Sequence, residues 1–177
     1  MKLAKALLAS LLAAAALTAQ ADTITPVTAD SNWNQFYYGD ASTPWLDLSA
    51  FDSSAAPVSF TITLQSAAQL NVTAAGYAGD VFQVFDNASS LGSTSTPTGT
   101  NTDYADLNFD QAFSSNKWSH GSWTLSAGTH TITGLVTISA LQAGAGAIQV
   151  IAVPEPTSYA MLMAGLGLIG LIARRRA

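Results

Sequence analysis

Two histidines stand among many serines and aspartates, His120 in "WSHGSW" and His130 in "THTITG". A nucleophilic hydrolase needs an imidazole beside a serine hydroxyl and a carboxylate behind the imidazole. The residue types are present, but no G-x-S-x-G elbow is, and with so many Ser and Asp chance adjacency is expected. Glycosidic cleavage needs two carboxylates flanking one bond, and nothing marks any pair of aspartates. The chain is expected not to be an enzyme.

The acidic residues suggest cation binding instead. "DLNFD" sets Asp106, Asn108 and Asp110 at alternate positions, as at the start of an EF-hand loop. Gln111 then holds the glycine position and Lys117 the bidentate glutamate position, so that loop does not form. A looser calcium site on loops can draw on Asp80, Asp86, Asp103 or Asp106. Otherwise these are solvated turn residues, and no other cofactor is expected. Sugar binding uses aromatic faces beside Asp and Asn. Trp33, Trp45, Trp118, Trp123, Tyr37 and Tyr38 are the candidates, and core filling is the competing and favoured role for them. Thr61/Thr63 and Thr131/Thr133 are isolated Thr-x-Thr pairs. Without a repeat they do not make a flat ice-binding array. Gly165-Leu-Gly167-Leu-Ile-Gly170 fits a dinucleotide fingerprint, but no strand precedes it and the chain ends seven residues later.

These side chains need a scaffold, and the alternation of residues predicts one. "VSFTITL" puts Val58, Phe60, Ile62 and Leu64 on one face and Ser59, Thr61 and Thr63 on the other, the period of a half-buried strand. "QLNVTA" continues it. "DVFQVFD" is a strand running into an Asp86-Asn87 turn. "THTITGLVTIS" sets His130, Ile132, Gly134, Val136 and Ile138 against Thr131, Thr133, Leu135 and Thr137. "GAIQVIAV" is a last, largely buried strand, and "NQFYY" and "TPWLDL" are expected strands. Gly92–Asp106 is a long polar loop of a length that is usually functional or mobile. No apolar helix pattern appears between Asp22 and Val153. Seven to nine short strands predict an all-β, antiparallel β-sandwich, jelly-roll-like.

Composition limits the partners. Residues 22–153 contain ten aspartates, no glutamate and one lysine, Lys117, a net charge of −9. A phosphate backbone is bound by clustered Lys and Arg, so nucleic acid is excluded. There is no cysteine, so packing alone must hold the fold. Ser and Thr make up about a quarter of this segment, a hydroxyl-rich surface common outside the cell.

Both ends read as addresses. Lys2 and Lys5, an apolar run from Ala6 to Leu17, and the small-x-small Ala19-Gln20-Ala21 form a secretory signal peptide, 1–21, cut after Ala21. At the other end Thr157–Ala173 carries no charge. As a helix it reaches ~26 Å, short for a ~30 Å bilayer core but workable because arginines snorkel. Arg174, Arg175 and Arg176 follow and place that end in the cytoplasm, so a single C-terminal transmembrane helix is expected. Pro154 and Pro156 around Glu155 keep the preceding segment extended and exposed.

This tail, 154–177, resembles the PEP-CTERM sorting signal of Gram-negative bacteria. Val153-Pro154-Glu155-Pro156, the run Ala160–Leu168 and Arg174–Arg176 carry the resemblance. It implies recognition by an exosortase-type processing enzyme, passage through the inner membrane, and a link to extracellular polysaccharide and the cell surface. More weakly, "AGDVFQVFDNASSLGSTS", "AFSSNKWSHGSWTLSAGTHTITG" and "GAGAIQV" resemble a β-sandwich domain common in secreted PEP-CTERM proteins, which implies fold and location but no activity. The expected product is a surface or matrix protein, exported as domain 22–153. The alternative is a carbohydrate-binding module for the cell's own exopolysaccharide.

Overall fold

A computed structural model describes residues 21–153 together with 161, 163, 164 and 166. Ala19, Pro154–Pro156 and Arg174–Arg176 lie outside the described residues, as do nearly all of the expected signal peptide and most of the expected span. Ala21 is exposed and irregular. Among the described residues no helix is long and apolar enough to cross a membrane.

Nine strands build two sheets. In chain order they are β1 Thr23–Val27, β2 Asp30–Tyr38, β3 Val58–Leu64, β4 Ala68–Ala74, β5 Val81–Asp86 and β6 Ser89–Ser93, then β7 His120–Leu125, β8 Gly128–Ile138 and β9 Gly144–Ala152. One sheet runs β1-β3-β8-β5-β6 and the other β2-β9-β4-β7. From β2 onward every connection crosses between the sheets except the β5–β6 hairpin, which is the winding of a jelly roll. The pairing is antiparallel except at β1, which lies parallel to β3 with Thr23 opposite Val58. β1 carries Pro26, which suits an edge because proline has no ladder donor.

The alternation of β3 and β8 reads into burial with two corrections: Ile138, expected on the buried face, is exposed at the end of β8, and Ser59, expected on the polar face, is buried. Phe60 and Ile62 on β3 and Ile132 and Val136 on β8 are buried; Thr63 and Thr137 are exposed. They meet Phe36 of β2, Leu70 and Val72 of β4, and Ile148 and Val150 of β9 in one apolar cluster shared by both sheets. Such a shared core is what makes two sheets a sandwich.

Two expectations are corrected. "TPWLDL" is not a strand. Pro44 bridges to Leu135 in one sheet, and Leu46 bridges to Tyr37 in the other and to Pro57. The segment therefore staples the open side of the sandwich and delivers Trp45 into the core, fully buried and stacked on Phe36 at 3.9 Å. A short helix, α1 Phe109–Phe113, also stands where none was expected. Asn108 caps it by accepting from the Gln111 N–H, so the "DLNFD" carboxylates begin a helix rather than a calcium loop. α1 closes over a second small cluster, Ala75, Ala78, Ala105, Ala112 and Trp118, packed with Phe109.

Candidate functional site: an aromatic cleft at the loop end

The β2–β3, β4–β5, β6–α1 and β8–β9 connections meet at one end of the sandwich. They line a cleft of about 260 Å³. Its aromatic walls are Tyr37, Phe51, Tyr77 and Tyr104, with Leu107 and Ser49 beside them. Phe51 is 85% exposed, Tyr104 52% and Tyr77 46%, so three large rings face solvent at one place. Phe51 also walls a neighbouring cleft bounded by Asp40, Thr43, Pro44 and Gln142.

The platform is held from below. Tyr77 and Tyr104 form a backbone bridge, and their rings lie 4.8 Å apart at 39°. The Ala78 N–H donates to the Asp103 carbonyl and the Ala105 N–H to the Gly76 carbonyl. The Trp118 indole N–H, 3.0 Å from that same Gly76 carbonyl, ties the platform to the second cluster. The polar loop after β6 is therefore pinned rather than free. Asp106 and Leu107 have φ of 51° and 57°. Left-handed backbone at a branched leucine is strained, and such strain gathers at binding sites.

Gly144 in the cleft wall has no room for a side chain. A Cβ on Gly144 would lie 2.2 Å from the Tyr38 hydroxyl. That hydroxyl donates to Asp80 at 2.6 Å, and the Ala140 N–H donates to the other Asp80 oxygen at 2.8 Å. Burial pushes the Asp80 carboxyl up from its ordinary range, against those two hydrogen bonds. It also pushes Tyr38 well up, with the Asp80 charge as a second cause. For Asp80 the folded value exceeds the unfolded one. Its contribution is therefore full below the ordinary carboxylate range and is lost as pH rises through the raised value. Asp80→Asn keeps both contacts, with its oxygen accepting from Ala140 and its amide donating to Tyr38. Melting curves from pH 3 to 8 are expected to show it at least as stable as wild type at neutral pH, with wild type gaining on the mutant as the pH falls. Taking the difference cancels the opposite slopes of Asp30, Asp47, Asp52 and Asp103, whose hydrogen bonds lower them. Asp80→Ala strands two buried donors and is expected to cost ~2–4 kcal/mol.

Most of the residues singled out from the sequence lie elsewhere. Trp45, Tyr38 and Trp118 are buried in the two clusters. Trp33 packs on Phe109 and Phe113 and donates its indole N–H to Asp110 at 2.8 Å. Trp123 is half-buried against the core. Of the six aromatic candidates only Tyr37 reaches the cleft. Asp86 pairs with His130 at 2.7 Å and Asp103 with Lys117 at 2.5 Å. Among the described residues no three His, Asp or Glu side chains group so as to hold a metal, so Asp80, Asp86, Asp103 and Asp106 are not brought together. Each ring nitrogen with a contact, Nδ1 of His120 and both nitrogens of His130, faces a carbonyl or a carboxylate rather than a serine hydroxyl. Tyr77, Tyr104, Phe51 and Leu107 were missed. The one signal for the three aromatic residues was a ring placed in a Gly-rich or polar loop, where a core residue has no reason to be.

No curated protein matches the chain at a significant level. Among solved structures it is similar to the pre-peptidase C-terminal domain of a collagenase from Bacillus anthracis, with a TM-score of 0.41 and 7% identity over 73% of this chain and 96% of that one. It is also similar to PliG, a periplasmic inhibitor of g-type lysozyme from Aeromonas hydrophila, with a TM-score of 0.32 and 14% identity over 73% and 99%. Both likenesses are loose. The tail gives the definite result. Residues 152–176 match the PEP-CTERM protein-sorting motif, so the chain carries a PEP-CTERM sorting signal that begins at the last residue of β9.

Proposed function

We propose that the protein is exported, processed at its tail by an exosortase-type enzyme of the inner membrane, and displayed at the cell surface or in the extracellular matrix. There its domain binds or scaffolds rather than catalyses. The sorting motif carries this reading. The course of β9 supports it. That strand starts at Gly144 in the cleft wall and ends at Ala152, so at ~3.3 Å per residue the tail departs ~26 Å from the cleft. β9 pairs with both β2 and β4, which puts the tether's first residue in the middle of a sheet. A domain held by that end turns its aromatic cleft away from the membrane. The exposed rings favour a carbohydrate-binding role over a purely structural one.

Intact-mass analysis of the secreted protein tests the sorting. The processed form should lack both Met1–Ala21 and Arg174–Ala177. Replacing Arg174, Arg175 and Arg176 together by Ser should reduce it severalfold, since each arginine contributes ~1 kcal/mol of anchoring at an anionic leaflet. Full-length protein as the sole stable form in the inner membrane would refute processing.

A further inference from the structure

We infer that the cleft binds a neutral or amino-substituted polysaccharide chain by stacking sugar rings on Tyr77 and Tyr104, and that it rejects uronic-acid polymers. This assignment rests on the carbohydrate-binding reading of the domain, and its outward orientation rests on the sorting reading.

Three observations carry it. The first is the shape of the apolar surface. Tyr77 and Tyr104 present half-exposed rings at 39° to one another, with Phe51 standing beside them. The C–H face of a pyranose carries slight positive charge and the face of an aromatic ring slight negative charge, so the two attract and shed water together. The second is the polar complement. Among the described residues the hydroxyls of Tyr37, Tyr77 and Tyr104 donate to no protein group, which leaves them for ligand hydroxyls around an apolar wall. Few polar groups on an aromatic lining is the usual make-up of a small-molecule site.

The third is charge. Asp52 and Asp106 flank the lining residues Phe51 and Leu107 in sequence, and Asp40 borders the adjoining cleft. The one Lys or Arg among the described residues is Lys117, already paired with Asp103. A polymer with a carboxylate on every residue therefore meets repulsion and no cation. The same acidity opposes an anionic lipid surface, and the tail holds the cleft at the far pole. Size agrees: about 260 Å³ holds a ring or two, with the rest of the chain running out across Phe51.

Affinity gel electrophoresis of the secreted protein tests this, with hydroxyethylcellulose, glycol chitosan and alginate in the gels and sedimentation with phosphatidylglycerol vesicles in parallel. We expect retardation by hydroxyethylcellulose or glycol chitosan and none by alginate. Tyr77→Ala and Tyr104→Ala should each weaken it about tenfold, the effect of truncating one aromatic anchor. Tyr104→Phe, which keeps the ring, should retain most of the binding, and melting temperatures will show that all three fold. Equal retardation by alginate would overturn the charge argument but leave sugar binding standing. Unchanged retardation of both alanine variants would overturn the site. No retardation by any polymer, or binding to the vesicles alone, would overturn the carbohydrate reading. None of these outcomes bears on tail processing, which mass analysis reads separately.

Discussion

Replacing Gly134 by Val is expected to cost at least ~3 kcal/mol and to lower the melting temperature by ~10 °C or more. Gly134 lies in β8, third of the five strands in its sheet. A Cβ there would fall 2.0 to 2.4 Å from three atoms of the Trp45 indole. The indole has no room to retreat, because Phe36 stacks on it at 3.9 Å and Phe82 meets its edge at 5.9 Å. The backbone cannot slide either, since the Trp45 N–H donates to the Gly134 carbonyl at 3.1 Å. A side chain at 134 therefore expels the ring that closes the core. Trp45→Ala alone should cost ~3–5 kcal/mol through its cavity. The double variant should cost less than the sum of the two, because the valine fills space that the indole vacates. Thermal melts followed by far-UV circular dichroism decide it. A Gly134→Val protein that melts within a degree or two of wild type would mean that Trp45 does not lie on that glycine in solution.

The same contact shows what the sequence could and could not reveal. Alternation located β3, β4, β5, β8 and β9 and gave the buried faces of β3 and β8, because a strand half in water must write its burial into every second residue. It put Gly134 on the inward face without saying why a glycine should be there; the reason is a ring from a segment 89 positions away. "TPWLDL" looked like a strand because it is apolar and aromatic, but Pro44 removes one donor and the residues pair singly with both sheets. β1 was invisible, since an edge strand with Pro26 lacks both the run and the alternation. The short α1 has too few turns to show a helical period. The cleft was the least legible feature. Tryptophans were the obvious sugar platforms, but a large ring gains most from full burial, and Trp45 and Trp118 took that course. The rings left outside, Tyr77 and Tyr104, are 27 positions apart and meet only through the pinning of a loop that reads as polar and free.

Removing the His130 imidazole is expected to destabilise the domain by ~1–3 kcal/mol, although no apolar contact of comparable size is lost. His130 sits on the inward side of β8. Its Nδ1 lies 2.7 Å from an Asp86 oxygen and its Nε2 3.0 Å from the Ser126 carbonyl. The two side chains are only 8% and 17% exposed. The other Asp86 oxygen is buried without a partner. In His130→Ala the Asp86 carboxyl loses its only side-chain hydrogen bond, which leaves both of its oxygens without a side-chain partner. Asp86→Asn is expected to cost under ~1 kcal/mol, because Nε2 can donate to Ser126 while Nδ1 accepts from the new amide. The double change His130→Leu with Asp86→Leu removes both hydrogen-bonding partners together and should recover most of the loss, since replacing both partners by apolar groups of similar shape is nearly neutral. Urea denaturation of the three variants supplies the cycle. If His130→Ala and Asp86→Asn were equally mild, the pair would be solvated in solution. If the double variant were the least stable of the three, the pair would be a net source of stability rather than a polar device that the core tolerates for the sake of its register.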